Sequence, residues 1–165
     1  GIRDDLVTGV QTCALPIFKS IDDILDFAIG EEEGAQRFYE ALASSAGSSG
    51  MREVFEGFAR EEKGHRAKLE AIKKGGTHEG FATHVQDLKL GDYLVDVEPT
   101  PETSYQEALI VAMKKEKAAF RLYSDLAAAV PDEGLRTTFL GLAQEEAKHK
   151  LRFEVEYDDN ILTDN

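Results

Sequence analysis

Apolar residues recur along this chain at alternating spacings of four and three, in four separate stretches. The first runs Ile21, Leu25, Ala28, Glu32, Ala35, Tyr39, Leu42, and the second Phe55, Phe58, Glu62, His65, Leu69, Ile72. The third runs Tyr105, Leu109, Ala112, Glu116, Ala119, Tyr123, Leu126, and the fourth Leu135, Phe139, Leu142, Glu146, His149, Phe153. That spacing keeps every named residue on one face of a helix, so each stretch predicts an amphipathic helix with a buried seam. Ser20, followed by Asp22 and Asp23, has the chemistry of a helix N-cap, and Ser104 with Glu107 reads as a capping box. Small and polar residues over Ser44–Gly50, and Ala127–Gly134 with its Pro131-Asp132, turn the chain within each pair of helices. No long alternating stretch suggests a strand, and an all-α four-helix bundle follows.

Residues 73–103 interrupt the pattern with Gly75-Gly76, Gly80, Gly91, Pro99 and Pro101. A connector of that length is too long for a tight turn and suits a crossover running the length of a bundle. Asp92–Val97 within it reads as an extended or single-turn piece, and His78 and His84 as solvent-exposed loop histidines. The organisation is therefore a hairpin over 20–72, a crossover over 73–103, a second hairpin over 104–157 and a tail over 158–165.

The two hairpins are copies of each other. Residues 20–70 laid on 104–154, an offset of 84, give 18 identities in 51 positions without a gap. The offset pairs Glu32 with Glu116, Tyr39 with Tyr123, and Glu61-Glu62-x-x-His65 with Glu145-Glu146-x-x-His149.

This duplication changes the meaning of the charged residues. A single Glu-x-x-His is a weak signal in an acidic chain. Here Glu32, Glu62, His65, Glu116, Glu146 and His149 all occupy seam positions where an apolar residue is expected. A carboxylate in a bundle core costs several kcal/mol unless something neutralises it. Glu32 lies about as far before the first turn as Glu62 lies after it, so antiparallel helices bring both to one level. On a helix the Glu and His of Glu-x-x-His share a face and can grip one ion. Four carboxylates balance two divalent cations, and oxygen donors with an occasional imidazole suit iron or manganese, while zinc sites usually carry more His or Cys. Two of the glutamates would bridge the ions. Tyr39 and Tyr123, two turns further along their seams, read either as hydroxyls bonded to a ligand carboxylate or redox relays, or as core aromatics. Glu61 and Glu145 read either as groups that orient a histidine or as plain surface residues. Lys114, Lys115 and Lys117 fall off the seam, as a solvated face would.

Composition narrows the function classes. A length of 165 residues suits one domain, and a net charge of −13 argues against nucleic acid and anionic membrane surfaces as partners. No apolar run approaches the ~18 residues of a membrane helix. The one cysteine, Cys13, excludes a disulfide framework within the chain and is compatible with a cytoplasmic setting. Val7–Ile17 looks like the translation of a common short-read sequencing adapter, so residues 1–17 are read as a non-native extension and residues 18–165 as the domain.

The pattern Glu-x-x-Ala-x-x-Phe/Leu-Tyr at Glu32–Tyr39 and Glu116–Tyr123, each followed by Glu-x-x-His, resembles the rubrerythrin family of ferritin-like di-iron proteins. The resemblance covers residues 20–157. It implies a ferritin-like four-helix bundle whose metal ligands are Glu32, Glu62, His65, Glu116, Glu146 and His149. It also implies two iron ions that react with peroxide or oxygen in an oxidative-stress setting. Two departures stand out. Full-length rubrerythrins carry a rubredoxin domain built on four cysteines, which one cysteine cannot supply, so an external donor such as a rubredoxin or a reductase is expected. The family also has a further Glu three residues after the third-helix ligand, where this chain has Ala119, which makes peroxide reduction less secure than the site itself. Three functions fit: a di-iron oxidoreductase, ferritin-like Fe(II) oxidation and iron handling, and a non-enzymatic metal-stabilised binding bundle. A homodimer with helices exchanged across the 73–103 connector also fits the topology. Removing residues 1–17 is expected to leave metal content and melting temperature within error; a drop of several degrees would show that the arm belongs to the fold.

Overall fold

The structure is a computed structural model that describes residues 18, 20–76, 95, 97, 99–100 and 102–162. The four periodic stretches form α1 (Ile21–Ser45), α2 (Ser49–Gly75), α3 (Tyr105–Ala129) and α4 (Glu133–Tyr157). Local chemistry sets their starts. The Ser20 hydroxyl accepts from the Asp23 N–H at 3.1 Å while the Asp23 carboxylate accepts from the Ser20 N–H at 3.1 Å. Ser104 and Glu107 make the same reciprocal pair at 3.2 and 2.9 Å. Ser48 caps α2 by accepting from Met51, and Asp132 caps α4 by accepting from Leu135. Each such cap satisfies one of the N–H groups that a helix start leaves without a partner.

The turns are tighter than composition suggested. Ser44 and Ser45 return their hydroxyls to the carbonyls of Glu40 and Ala41, which keeps them inside α1 and leaves only Ala46–Ser48 as turn. In the second hairpin Val130 is buried at the turn as an apolar plug. Beyond α4 the predicted tail continues as a π-helical turn over Asp158–Leu162, with Asn160 donating back to the Glu156 carbonyl at 3.0 Å.

Within each hairpin, α1 packs on α2 and α3 on α4. Side chains join the hairpins. Tyr39 meets Glu116 and Tyr123 meets Glu32, so α1 and α3 run antiparallel. His65 meets Glu145 and His149 meets Glu61, so α2 and α4 do the same. These paired contacts interchange when the hairpins are exchanged, the signature of a two-fold relation between the copies. It follows that α2 and α3 run in the same direction. Most of the connector between them, with His78, His84 and residues 92–94, lies outside the described residues. At one described point Lys115 donates to the Val95 carbonyl at 2.8 Å, tacking the connector to α3. Lys115 is half-buried with its ammonium 4.8 Å from the Phe38 ring centre, unlike the plain solvated residue the seam pattern suggested.

The core has two apolar layers. One gathers Ile24, Leu25, Leu69, Leu126 and Phe139; the other gathers Tyr39, Phe55, Phe58, Leu109 and Phe153. In every helix the buried charged residues fall between them in sequence: Glu32, the Glu62–His65 pair, Glu116 and the Glu146–His149 pair. Among the described residues no helix is long and apolar enough to cross a membrane. Phe153 is fully buried and stacks on Phe58 with ring centres 3.9 Å apart, whereas Leu151, two residues away, is 58% exposed. Phe153→Ala is expected to cost about 3–5 kcal/mol and Leu151→Ala within about 0.5 kcal/mol of nothing, as read from urea unfolding midpoints.

Candidate metal centre

The seam buries six charged side chains in the bundle. Glu32, Glu62, His65, Glu116, Glu146 and His149 are each between 1% and 7% exposed. Burying so many ionisable groups is tolerable only if they compensate one another or hold cations. They offer donor atoms in two groups, each within 4.8 Å: Glu32, Glu62, His65 and Glu146, and Glu62, Glu116, Glu146 and His149. Glu62 and Glu146 belong to both groups. They stand where a bridging carboxylate would, and Glu32 and Glu116 stand at the two outer ends. The imidazoles are nearly parallel, with ring centres 5.5 Å apart.

A set of crosswise hydrogen bonds holds this constellation. Tyr39 on α1 donates to Glu116 on α3, and Tyr123 on α3 donates to Glu32 on α1. Each tyrosine therefore fixes the lone glutamate of the other hairpin. The histidines are fixed the same way. His65 Nε2 lies 2.7 Å from Glu145, and His149 Nε2 lies 2.7 Å from Glu61. An imidazole that donates from Nε2 to a carboxylate keeps its Nδ1 lone pair for an ion. Of the two sequence readings for Glu61 and Glu145, the orienting one matches this geometry.

The equivalence of the halves ends at Arg152. It donates to Glu61 at 2.7 Å and lies 4.2 Å from the Phe58 ring centre, while the offset of 84 puts Lys68 at the matching place. Arg152 was not singled out from the sequence, and Lys115 was read there only as part of a solvated face. Both lie off the seams, and nothing in the sequence pattern marks them.

The electrostatics follow from the crowding. Burial pushes the Glu32 carboxyl well above its usual range; the His65 contact offsets part of this and the charges of Glu146 and Glu62 add to it. Burial likewise raises Glu116, His149 opposing and Glu146 reinforcing. Burial would also raise Glu146, but contacts to both histidines outweigh it and hold that carboxyl low. The histidines move up against the pull of burial: Glu116, Glu146 and Glu62 carry His149 to about 12, and Glu146, Glu32 and Glu62 carry His65 higher still. Tyr39 and Tyr123 are held neutral, by burial first and by the adjacent carboxylates second. The metal-free cluster thus shares protons among carboxylates and imidazoles.

That sharing is imperfect. His65 Nδ1 and His149 Nδ1 lie 3.0–3.5 Å from carboxylate oxygens, yet neither is aligned for a hydrogen bond. Glu62 Oε1 and Glu146 Oε1 are also buried without a hydrogen-bond partner among the described residues. Buried polar atoms left in this way are rare, and here they converge from both shared glutamates and both histidines. Cations between them would satisfy all of them together, and a donor set of four carboxylates and two imidazoles fits iron or manganese.

The cluster is open on one side. Glu32, Glu62, Glu116 and Glu146 reach the floor of a cavity of about 500 Å3 walled by α1 and α3. Neither histidine lines it. Ions held here would meet incoming molecules on the carboxylate side.

A four-helix bundle with this buried carboxylate–histidine cluster defines a ferritin-like bundle that carries a candidate metal site. Among solved structures, a hypothetical protein from Pyrococcus furiosus superposes with a TM-score of 0.64 at 24% identity, over 87% of this chain and 94% of that one. A protein from Thermotoga maritima, assigned as a ferritin-like diiron-carboxylate protein, superposes with a TM-score of 0.67 at 21% identity, over 88% and 99%. No curated protein matches the sequence. The rubrerythrin family model matches residues 23–157, and this chain belongs to the rubrerythrin family.

The proton sharing has a consequence for the metal-free protein. His65 and His149 have folded-state pKa values raised above the unfolded value of 6.5. Their contribution to stability is therefore fully present below pH 6.5 and is lost as pH rises toward the folded values. The raised Glu32 and Glu116 act in the same direction from 4.5 upward, whereas the lowered Glu146 contributes stability that is present above 4.5 and is lost as pH falls below it. Metal-free protein is expected to melt lower at pH 7.5 than at pH 5.5. The metal-loaded form should show the opposite trend, because ions bind the deprotonated ligands. Differential scanning calorimetry of both forms checks this, and parallel curves would contradict it.

Proposed function

We propose that this chain is a di-iron oxidoreductase of rubrerythrin type that reduces peroxide or oxygen with electrons from a separate donor. The observation that supports it best is the pair of donor groups sharing Glu62 and Glu146 beneath a cavity that opens on their carboxylate side. Two ferrous ions in such a site supply one electron each, the number that cleavage of one O–O bond consumes.

The protein's own residues do the rest. Glu62 and Glu146 would be shared between the two ions; Glu32 with His65 would complete one ligand set, and Glu116 with His149 the other. Glu145 and Glu61 hold the imidazoles with Nδ1 inward. Tyr39 and Tyr123, buried and neutral, hold Glu116 and Glu32 in place and keep a proton beside each terminal carboxylate. The apolar layers on either side exclude water and strengthen these contacts. Electrons come from a partner such as a rubredoxin or a reductase.

Ferritin-like Fe(II) oxidation without turnover is the competing reading, favoured by Ala119 at the position of the family's additional carboxylate. Excess Fe(II) separates the two, since iron storage takes up many ions and a peroxidase holds two. Anaerobic loading is expected to give two irons per chain and an absorption change when peroxide is added. Glu62→Ala and Glu146→Ala should each lose both ions, whereas Glu32→Ala should retain about one, the pattern expected of shared against terminal ligands. Unchanged metal content in the first two variants would sink the assignment.

A further inference from the structure

The cavity above the carboxylates is far larger than hydrogen peroxide or oxygen requires. It encloses about 500 Å3, whereas a water-sized molecule occupies roughly 30 Å3 and pockets of about 300–1,000 Å3 hold whole organic ligands. Small residues create the space: Gly30 and Gly34, one turn apart on α1, line it together with Ala119 on α3. A Cβ added at either glycine would meet nothing within 4 Å, so close packing demands neither of them. Each glycine inside a helix costs about 0.5–1 kcal/mol relative to alanine. The duplicated positions carry Lys114 and Ala118, so the repeat itself does not demand glycine either. What the two glycines leave is room.

The walls and rim describe the occupant. Ala35, Leu122 and the Phe38 ring give one part of the walls an apolar surface above the polar floor, while Glu31 and Arg37 line another part with charge. Val95 and Lys115 stand at the cavity as well, joined by the bond from the Lys115 ammonium to the Val95 carbonyl. Such a site suits a molecule with one polar end, which reaches the carboxylate floor, and a hydrocarbon body that lies along α1 and α3.

We infer that this cavity binds an organic hydroperoxide, aryl or medium-chain alkyl, with its peroxy end at the floor between Glu32 and Glu116 and its hydrocarbon against Gly30, Gly34, Ala119 and Leu122. The inference rests on the redox reading above and extends it to a substrate class. In the reaction the O–O bond of ROOH breaks and two electrons and two protons enter, giving ROH and water. The electrons come from two ferrous ions, one from each, and the external donor restores them.

The test uses the full chain, its Gly34→Leu and Ala119→Leu variants, and cumyl alcohol, the product of cumene hydroperoxide, as the probe. Leucine at either position projects into the cavity from a different helix, so one variant remains informative if the other fails to fold. Titration of metal-free protein with cumyl alcohol should move the methyl signals of Ala35 and Leu122 saturably. Either folded variant should bind about tenfold or more weakly, the effect of overfilling a site by a side chain. With iron loaded, the rate ratio of cumene hydroperoxide to hydrogen peroxide should fall by a similar factor. Absence of saturable binding to the wild type, or equal affinity in a folded variant, overturns the inference. Saturable binding with no consumption of either peroxide would instead remove the redox reading, and the hydroperoxide class with it, while leaving the cavity as a ligand site.

Discussion

Four carboxylates and two imidazoles in one buried layer are the constraint on which the rest of this structure depends. Such a layer is unfavourable by itself, and each surrounding feature reduces its cost. The histidines take up protons that offset the carboxylates, the tyrosines donate to the terminal glutamates, and Glu61 and Glu145 bind the outer imidazole nitrogens. Every one of these contacts except the Glu-x-x-His pairing joins one helix to another, and the tyrosine and outer glutamate bonds all cross between hairpins. The charged layer therefore also fixes the register of one hairpin against the other.

Duplication explains why so few kinds of contact suffice. A hairpin with one lone Glu and one Glu-x-x-His cannot surround two ions alone. Two copies related by a two-fold axis supply both ends of the site and interchange their supporting bonds. The copies have since diverged where symmetry is not needed. Arg152 braces Glu61 where Lys68 occupies the matching place, and Gly30 and Gly34 open α1 where Lys114 and Ala118 stand in α3. The supporting shell is thus asymmetric around a candidate ligand set that remains symmetric.

Most of the fold could be read from the order of the residues. The four-three spacing, the Ser20 and Ser104 caps and the parity of the two copies specify four helices and their buried faces, because these depend on local geometry that repeats along a chain. The six candidate ligands were legible for the same reason: each breaks an otherwise apolar seam, and each has its counterpart in the other hairpin. Turn limits were less legible, since the serines that seem to end α1 bond back to its own carbonyls.

The sequence by itself determined the helices, the seam and which six side chains share a level. Only the tertiary structure decided who meets whom across the bundle. That Tyr39 serves Glu116 rather than Glu32, that Glu61 serves His149 rather than His65, and that Glu62 and Glu146 are the shared pair all follow from the packing of one hairpin on the other. The cavity belongs to the same category, because empty space between α1 and α3 has no periodicity. Helical spacing is a property of neighbours within about a turn, whereas these contacts join residues 77 to 91 positions apart. Their pairing depends on the side chains that remain opposite one another once the apolar layers have closed.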